Sequence, residues 1–197
     1  MTKRLITAIA VVMAFAAATA YAAVTTIPPS EYPHGCNPNG RDPSGQALQG
    51  HGGGDSLSGT EGRDLLRGGP GADGIDGHEQ GDCLFGQAGQ DSVFGRRGDD
   101  WLRGGDRIGS GAAQDLLEGN RGADLLQGGR GQDIVQGDAG DDSVNGGPGS
   151  DRLDAGTDHD RIVDVKGNNE INCGKGIATV VTNRQSHVEN CERVTRR

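Results

Sequence analysis

The sequence has few of the large side chains from which most protein cores are built. Aromatic residues make up 3% of its 197 residues, and hydrophobic residues of all kinds only 32%. Several packed layers around an ordinary core are difficult to build from that supply. Positive charge is also scarce, because 19 Lys and Arg stand against 28 Asp and Glu. The formal net charge of −9 disfavours nucleic acids and anionic membrane surfaces as partners and favours cations.

Motifs of common hydrolases are absent as well. His78-Glu79 begins like the zinc-protease motif H-E-x-x-H, but Asp82 stands where the second histidine is required. No G-x-S-x-G sequence occurs, and no Gly-Lys-Ser/Thr follows the glycines at residues 52–54 to make a phosphate-binding loop. We therefore predict that the protein is not an enzyme.

The only long hydrophobic run lies at the N-terminus and has the features of an export signal. A basic start at residues 2–4 precedes an uncharged apolar run at residues 5–18, and Ala-Tyr-Ala at residues 20–22 fits a cleavage site. The run is short for a spanning helix, so a cleaved signal peptide at residues 1–22 is favoured over a membrane anchor. The sequence thus predicts a secreted, extracellular protein without a membrane span.

Four cysteines, an even number without C-x-x-C spacing, favour disulfides in an oxidising compartment. Cys173 and Cys191 lie near each other towards the C-terminus, and we predict that they are bonded. Whether Cys36 and Cys83 form a second bond is left open. Residues 23–49 are rich in proline, which prevents long regular structure. This lead-in segment either covers the first coil of the array that begins at residue 50 or serves as a tether.

Residues 50–181 repeat one nine-residue pattern fourteen times, with a single six-residue interruption around residues 107–112. The pattern is G-G-x-G-x-D-x-U-x, where U is a large aliphatic residue, and residues 128–136 are its cleanest copy. Position eight is aliphatic in all fourteen copies, and position six is aspartate in the first twelve. These aspartates are Asp55, Asp64, Asp73, Asp82, Asp91, Asp100, Asp115, Asp124, Asp133, Asp142, Asp151 and Asp160.

Each position of the repeat has a separate physical role. The x-U-x triplet fits a short strand that turns its aliphatic residue to one face. One buried aliphatic side chain contributes about 1.5–3 kcal/mol, whereas ordering each backbone residue costs about 1–2 kcal/mol. Stacked coils would also bring aspartates together at a strand spacing of about 4.8 Å, where they repel. A cation that accepts carboxylate and carbonyl oxygens would remove this repulsion.

The pattern over residues 50–163 resembles the RTX, or haemolysin-type, calcium-binding repeats. The resemblance implies an all-β fold, a parallel β-roll or right-handed β-solenoid of about fourteen nonapeptide half-coils. It implies about ten Ca²⁺ sites, with the twelve aspartates as ligands and ions shared between one turn and the turn two copies later. Turns in which Gln80, Ala113 or Asp158 replaces the fourth-position glycine are expected to bind more weakly.

The last part of the chain departs from the pattern. Asn169 and Ala178 replace aspartate in the last two copies, which are expected to be calcium-free closing turns. Residues 182–197 break the period and resemble a C-terminal cap. We predict a secreted calcium-binding β-roll whose folding is driven by calcium. The alternative is an extracellular adhesion or ligand-binding solenoid, with a cell-surface or protein ligand that the sequence does not identify.

Overall fold

The computed structural model describes residues 25–26, 45–105, 112–164 and 166–197, and every regular element among them is a β-strand. The predicted signal peptide, Cys36, and most of the lead-in segment and of the insertion lie outside these ranges. In chain order the strands are β1 (Thr25–Thr26), β2 (Ala47–Gln49), β3 (Ser56–Ser58), β4 (Leu65–Pro70), β5 (Gly74–His78), β6 (Cys83–Ala88), β7 (Ser92–Arg97), β8 (Trp101–Gly105), β9 (Leu116–Arg121), β10 (Leu125–Gln127), β11 (Ile134–Ala139), β12 (Ser143–Asn145), β13 (Arg152–Asp154), β14 (Thr157–Asp158), β15 (Arg161–Asp164), β16 (Glu170–Asn172), β17 (Lys175–Gly176), β18 (Thr179–Thr182), β19 (His187–Glu189) and β20 (Arg193–Arg196).

Successive repeats alternate between two parallel sheets. One sheet has the order β1-β2-β4-β6-β8-β10-β12-β15-β18-β20, and the other has β3-β5-β7-β9-β11-β13-β16-β19 with β14 and β17 attached beside β11. Neighbouring strands within a sheet are offset by eighteen residues, as in Leu66 opposite Leu84. Across the insertion the offset is twenty-four residues, as in Leu102 opposite Leu126. The predicted parallel β-roll is confirmed.

The core consists of aliphatic side chains between the two sheets, with one column of them from each sheet. All fourteen aliphatic residues at position eight belong to it, and none is more than 2% exposed. A triplet such as β10 shows why, because the side chains before and after Leu126 alternate away from the core. The core is therefore one side chain deep on each sheet, as the scarcity of hydrophobic residues requires.

Further strands extend the stack at both ends of the array of residues 50–181. At the N-terminal side, β2 pairs in parallel with β4 and in antiparallel with β1. At the C-terminal side, β19 pairs with β16, and β20 with β18. Val188 and Val194 continue the position-eight columns there, opposite Ile171 and Val180 respectively. The segment predicted as a cap thus contributes two further rungs to the stack.

The structure contains the predicted disulfide between Cys173 and Cys191, with their Cα atoms 5.1 Å apart. Cys83 is also disulfide-bonded, and Cys36, whose pairing with Cys83 the sequence left open, lies outside the described residues. Cys83 belongs to a second small cluster, made by residues at positions seven and nine of the first sheet. In it the Phe85 and Trp101 rings meet edge to face at 5.4 Å. No helix among the described residues has the length and apolar character needed to cross a bilayer.

Candidate metal centre

The twelve aspartates predicted as ligands form two buried rows, and each row lies where the chain enters the strands of one sheet. Each aspartate directly precedes a strand triplet, and none is more than 6% exposed. Because neighbouring coils are in register, every aspartate lies beside the one in the next coil of its row. One row runs from Asp55 to Asp151 and the other from Asp64 to Asp160. The predicted site residues are thus brought together in rows rather than in one cluster.

In every aspartate of the two rows except Asp55, one carboxylate oxygen joins two coils among the described residues. The backbone N–H of Asp115 donates to Oδ1 of Asp133 at 3.0 Å, and the N–H of Asp133 donates to Oδ1 of Asp151 at 2.9 Å. The same bond crosses the insertion, from the Asp91 N–H to Asp115 Oδ1 at 2.9 Å. These bonds satisfy the N–H groups at the turn and fix the orientation of each carboxylate.

The other carboxylate oxygen has no partner in most of the coils. Oδ2 is buried without a hydrogen bond in ten aspartates of the two rows among the described residues. An unsatisfied buried acceptor costs about 1–3 kcal/mol, and more when it is charged. The ten residues are Asp73, Asp82, Asp91, Asp100, Asp115, Asp124, Asp133, Asp142, Asp151 and Asp160. These oxygens are open to a ligand that carries positive charge.

The first aspartate of each row is different. Oδ2 of Asp55 accepts the N–H of His51 at 2.9 Å, and Oδ2 of Asp64 accepts the N–H of Thr60 at 2.5 Å. Oδ1 of Asp64 accepts the N–H of Gln46 at 2.6 Å. In these two turns, therefore, the backbone already occupies the oxygen that is open in the other ten.

The glycine at position one provides the space beside the unpartnered oxygen. A β-carbon built on Gly128 would lie 2.6 Å from Asp133 Oδ2 and 2.7 Å from the carbonyl oxygen of Gly146 in the next coil. A carboxylate oxygen and a backbone carbonyl oxygen of adjacent coils therefore converge on this space. A side chain at Gly128 would meet both oxygens, whereas copy twelve carries Ala155 at this position and keeps Oδ2 of Asp160 buried and unpartnered.

Burial in the turns makes ionisation of the aspartates unfavourable. Desolvation is the largest cause, and it raises the pKa of Asp133 and Asp124 to about 6 and that of Asp142 to about 7. The pKa of Asp82 rises to about 9, with the charges of Asp100 and Asp64 adding to the desolvation. Near neutral pH these groups need either a proton or a bound cation.

Two of the three turns without a fourth-position glycine have a left-handed residue at that position. Gln80 and Asp158 adopt the left-handed backbone conformation, with φ of 65° and 86°, at a cost of about 1–3 kcal/mol each. Oδ2 of Asp82 and of Asp160, in the same two turns, is buried and unpartnered as elsewhere. The expected weaker binding in these turns stays a prediction.

The donor set suits calcium, which takes carboxylate and carbonyl oxygens at about 2.3–2.6 Å. The described residues include no group of three or more His, Cys, Asp or Glu side chains that could hold a metal by themselves. Backbone carbonyls such as that of Gly146 would therefore have to supply part of the coordination. An oxygen-only site without histidine or cysteine disfavours zinc and copper.

Three polar residues near the C-terminus belong to the same rows and were not predicted. Ser186 and Glu192 directly precede β19 and β20, where position six would be. Their side chains accept the N–H groups of Asn169 at 3.3 Å and Ala178 at 2.9 Å. The third, Asp164, stands at position one and is 1% exposed. Ser186 and Glu192 could have been found from the sequence, because each is a polar residue two places before a valine, Val188 or Val194.

Fold and site together define a calcium-binding parallel β-roll. The family model of the RTX calcium-binding nonapeptide repeat matches this chain in four copies, over residues 49–84, 79–106, 110–144 and 128–162. The matches cover more than half of the 197 residues, and the chain belongs to this family. No curated protein gives a significant match.

Proposed function

We propose that this chain is a secreted, non-catalytic protein whose β-roll folds when calcium binds between its turns. The ligands are the position-six aspartates, with ten open oxygens as the principal binding points and Asp55 and Asp64 as the terminal members of the rows. The observation that carries the proposal is the repetition of one buried, unpartnered Oδ2 from coil to coil.

Energetics support a folding role for the ion. Each half-coil buries one aliphatic residue, which contributes about 1.5–3 kcal/mol against about 1–2 kcal/mol for every ordered backbone residue. The carboxylates add a desolvation cost that the protein alone does not offset. An ion that binds only the folded chain shifts the equilibrium towards folding by mass action. Extracellular calcium would then order the chain after export.

The absence of catalysis and the secretion are supported by the sequence. The histidines among the described residues do not group with acids into a metal cluster, and His78 lies exposed at a turn beside Asp76. Export is inferred from residues 1–22, and both cysteines of the C-terminal disulfide are consistent with an oxidising compartment.

Circular dichroism of the mature chain during a calcium titration tests the proposal. In chelator we expect a largely unfolded spectrum, and on calcium addition a cooperative gain of β-structure that magnesium does not reproduce. A full β spectrum in chelator that calcium leaves unchanged would refute calcium-driven folding. Cell fractionation with and without residues 1–22 tests export separately.

A further inference from the structure

Copy thirteen differs from all earlier copies in that an acid, Asp164, replaces the glycine or alanine at position one. Asp164 ends β15, is 1% exposed and belongs to the row of turns that contains Gly128 and Gly146 at the same position. This copy has Asn169 at position six, so the row loses one carboxylate but gains another nearby.

The Asp164 carboxylate reaches the open side of the preceding turn. In an ordinary coil the space beside position one is bordered by one carboxylate oxygen and one carbonyl oxygen, as at Gly128. At Gly146, a β-carbon would instead overlap with Oδ2 of Asp151 and with Oδ2 of Asp164. Here two carboxylate oxygens, rather than one, border the space.

Neighbouring groups hold Asp164 in this orientation without neutralising it. Its Oδ2 accepts the N–H of Gly147 at 3.3 Å, and its Oδ1 accepts the N–H of Lys166 at 3.2 Å. Asp151 is 2% exposed, and its Oδ2 has no hydrogen-bond partner. Thr182, which pairs with Asp164 across β15 and β18, holds a buried hydroxyl that also lacks a partner. Two carboxylate oxygens thus meet beside Gly146, and a buried hydroxyl lies in the next coil of the sheet.

Two buried carboxylates in contact cannot both stay charged without compensation. The four salt bridges His78–Asp76, Arg96–Asp76, Arg97–Glu79 and His159–Asp141 involve neither acid. The pair must share a proton or hold a cation, and the free Oδ2 of Asp151 is open to a cation.

We propose that Asp164 is a further calcium ligand, which completes the last site of its row together with Asp151. The inference rests on the proposed calcium binding and specifies how the array ends. Since calcium affinity rises with the number of charged ligands, this site binds calcium more tightly than sites with a single unpartnered carboxylate. Copy thirteen is then part of the metal array rather than a calcium-free closing turn.

The test compares Asp164→Gly, which restores the repeat residue, and Asp164→Asn with a charge-matched control, Asp141→Asn. Asp141 is an exposed turn acid, with 64% of its side chain accessible. Calcium binding by the mature chains is measured by equilibrium dialysis. Hydrogen exchange then reports calcium-dependent protection separately for residues 146–170 and 50–105. For both Asp164 variants we expect one tight ion to be lost or bound at least tenfold more weakly, with protection lost only over residues 146–170.

The outcomes separate this inference from the proposed function. Asp164 variants that bind as many ions as tightly as the wild type, with unchanged protection at residues 146–170, would overturn the role of Asp164. Loss of protection over the whole array in both variants would also overturn it, because Asp164 would then serve folding generally. A wild-type chain that binds no calcium would refute the proposed function itself, whereas the Asp141→Asn chain is expected to match the wild type.

Discussion

At the scale of the residue, ten of the twelve position-six aspartates use their two oxygens differently. Asp133 shows both uses, since Oδ1 accepts the N–H of Asp115 and Oδ2 is buried and unpartnered. The first oxygen joins neighbouring coils of the folded chain, whereas burial of the second is unfavourable until a cation or a proton neutralises it. The same side chain is therefore a structural link and, in our proposal, also a metal ligand.

Gly128→Ala tests the space beside position one. The added methyl group would meet Asp133 Oδ2 at 2.6 Å and the Gly146 carbonyl at 2.7 Å, a clash that costs about 1–3 kcal/mol. Thermal unfolding with calcium should show this loss, and one ion should bind more weakly. Gly74→Ala is the matched control, because nothing lies within 4 Å of its added carbon. Equal effects of the two substitutions would contradict the assigned role of the position.

Sequence reasoning predicted which aspartates the structure brings together in rows, but not the hydrogen bonding of each oxygen. The nine-residue period places the aspartates correctly, because stacked identical coils must bring identical positions together. Oδ2 of Asp55 accepts the N–H of His51, and Oδ2 of Asp64 accepts the N–H of Thr60. The nine-residue period does not predict these two hydrogen bonds. Asp164, which we propose as a further ligand, was not predicted because its acid is at position one rather than six.

At the scale of the element, strands can stack even when the turns between them differ in length. A strict nine-residue spacing does not reveal such strands. The nine-residue spacing ends at residue 181, and the sequence predicts a cap for the tail on that ground. The structure places Val188 seventeen residues after Ile171, and Val194 fourteen after Val180, in the same columns. Only the strand triplets must align, so shorter turns still give rungs that pair.

Deletion of residues 106–111 tests whether the stack also accepts the shortening of a long turn. It would join Gly105 to Ala112 and restore the nine-residue spacing of that copy. The Asp100 N–H already bonds Asp124 Oδ1 across the insertion at 2.8 Å, as in other coils. We therefore expect the calcium-induced circular dichroism signal and the number of bound ions to be unchanged. A loss of cooperative folding would show that the insertion stabilises the stack.

Cys173→Ala/Cys191→Ala tests the C-terminal disulfide. The bond closes a loop of eighteen residues, for which chain entropy predicts a contribution of about 3 kcal/mol. We expect the calcium-loaded variant to lose stability in denaturant titration, with faster hydrogen exchange confined to β19 and β20. The N-terminal half, with Cys83 still bonded, is the internal control. Uniformly faster exchange over all strands would contradict a local role.

At the scale of the whole molecule, stability depends on contacts between adjacent coils rather than on a central core. Each coil adds two aliphatic residues and two turns, and most long-range contacts join strands of neighbouring coils. The free energy of unfolding of such a stack is approximately the sum of contributions from its coils and from the contacts between neighbouring coils. Because every coil also carries buried acids, the charge cost sums as well, and calcium or protons must neutralise it along the whole array.

Without calcium, the fold should therefore be favoured by acid. The buried aspartates have an ordinary pKa of 3.8, and the folded pKa rises to about 6 for Asp91 and about 7 for Asp115. Folding then takes up protons between these values, so stability decreases as pH increases through that window. Calcium reverses the sign, because it competes with protons for the same oxygens.

Circular dichroism in calcium-free buffer at pH 5.5 and pH 8 measures this difference. The lower value stays above the isoelectric point of about 4.9, where the protein would precipitate. We expect more β-structure and a higher melting temperature at pH 5.5 without calcium, and a calcium midpoint that moves to higher concentration at the lower pH. Asp133→Asn should reduce the pH dependence of calcium-free stability, because it removes one titrating group whose pKa rises to about 6. Calcium-free protein that is more stable at pH 8 would show that desolvation of the aspartates does not control the fold.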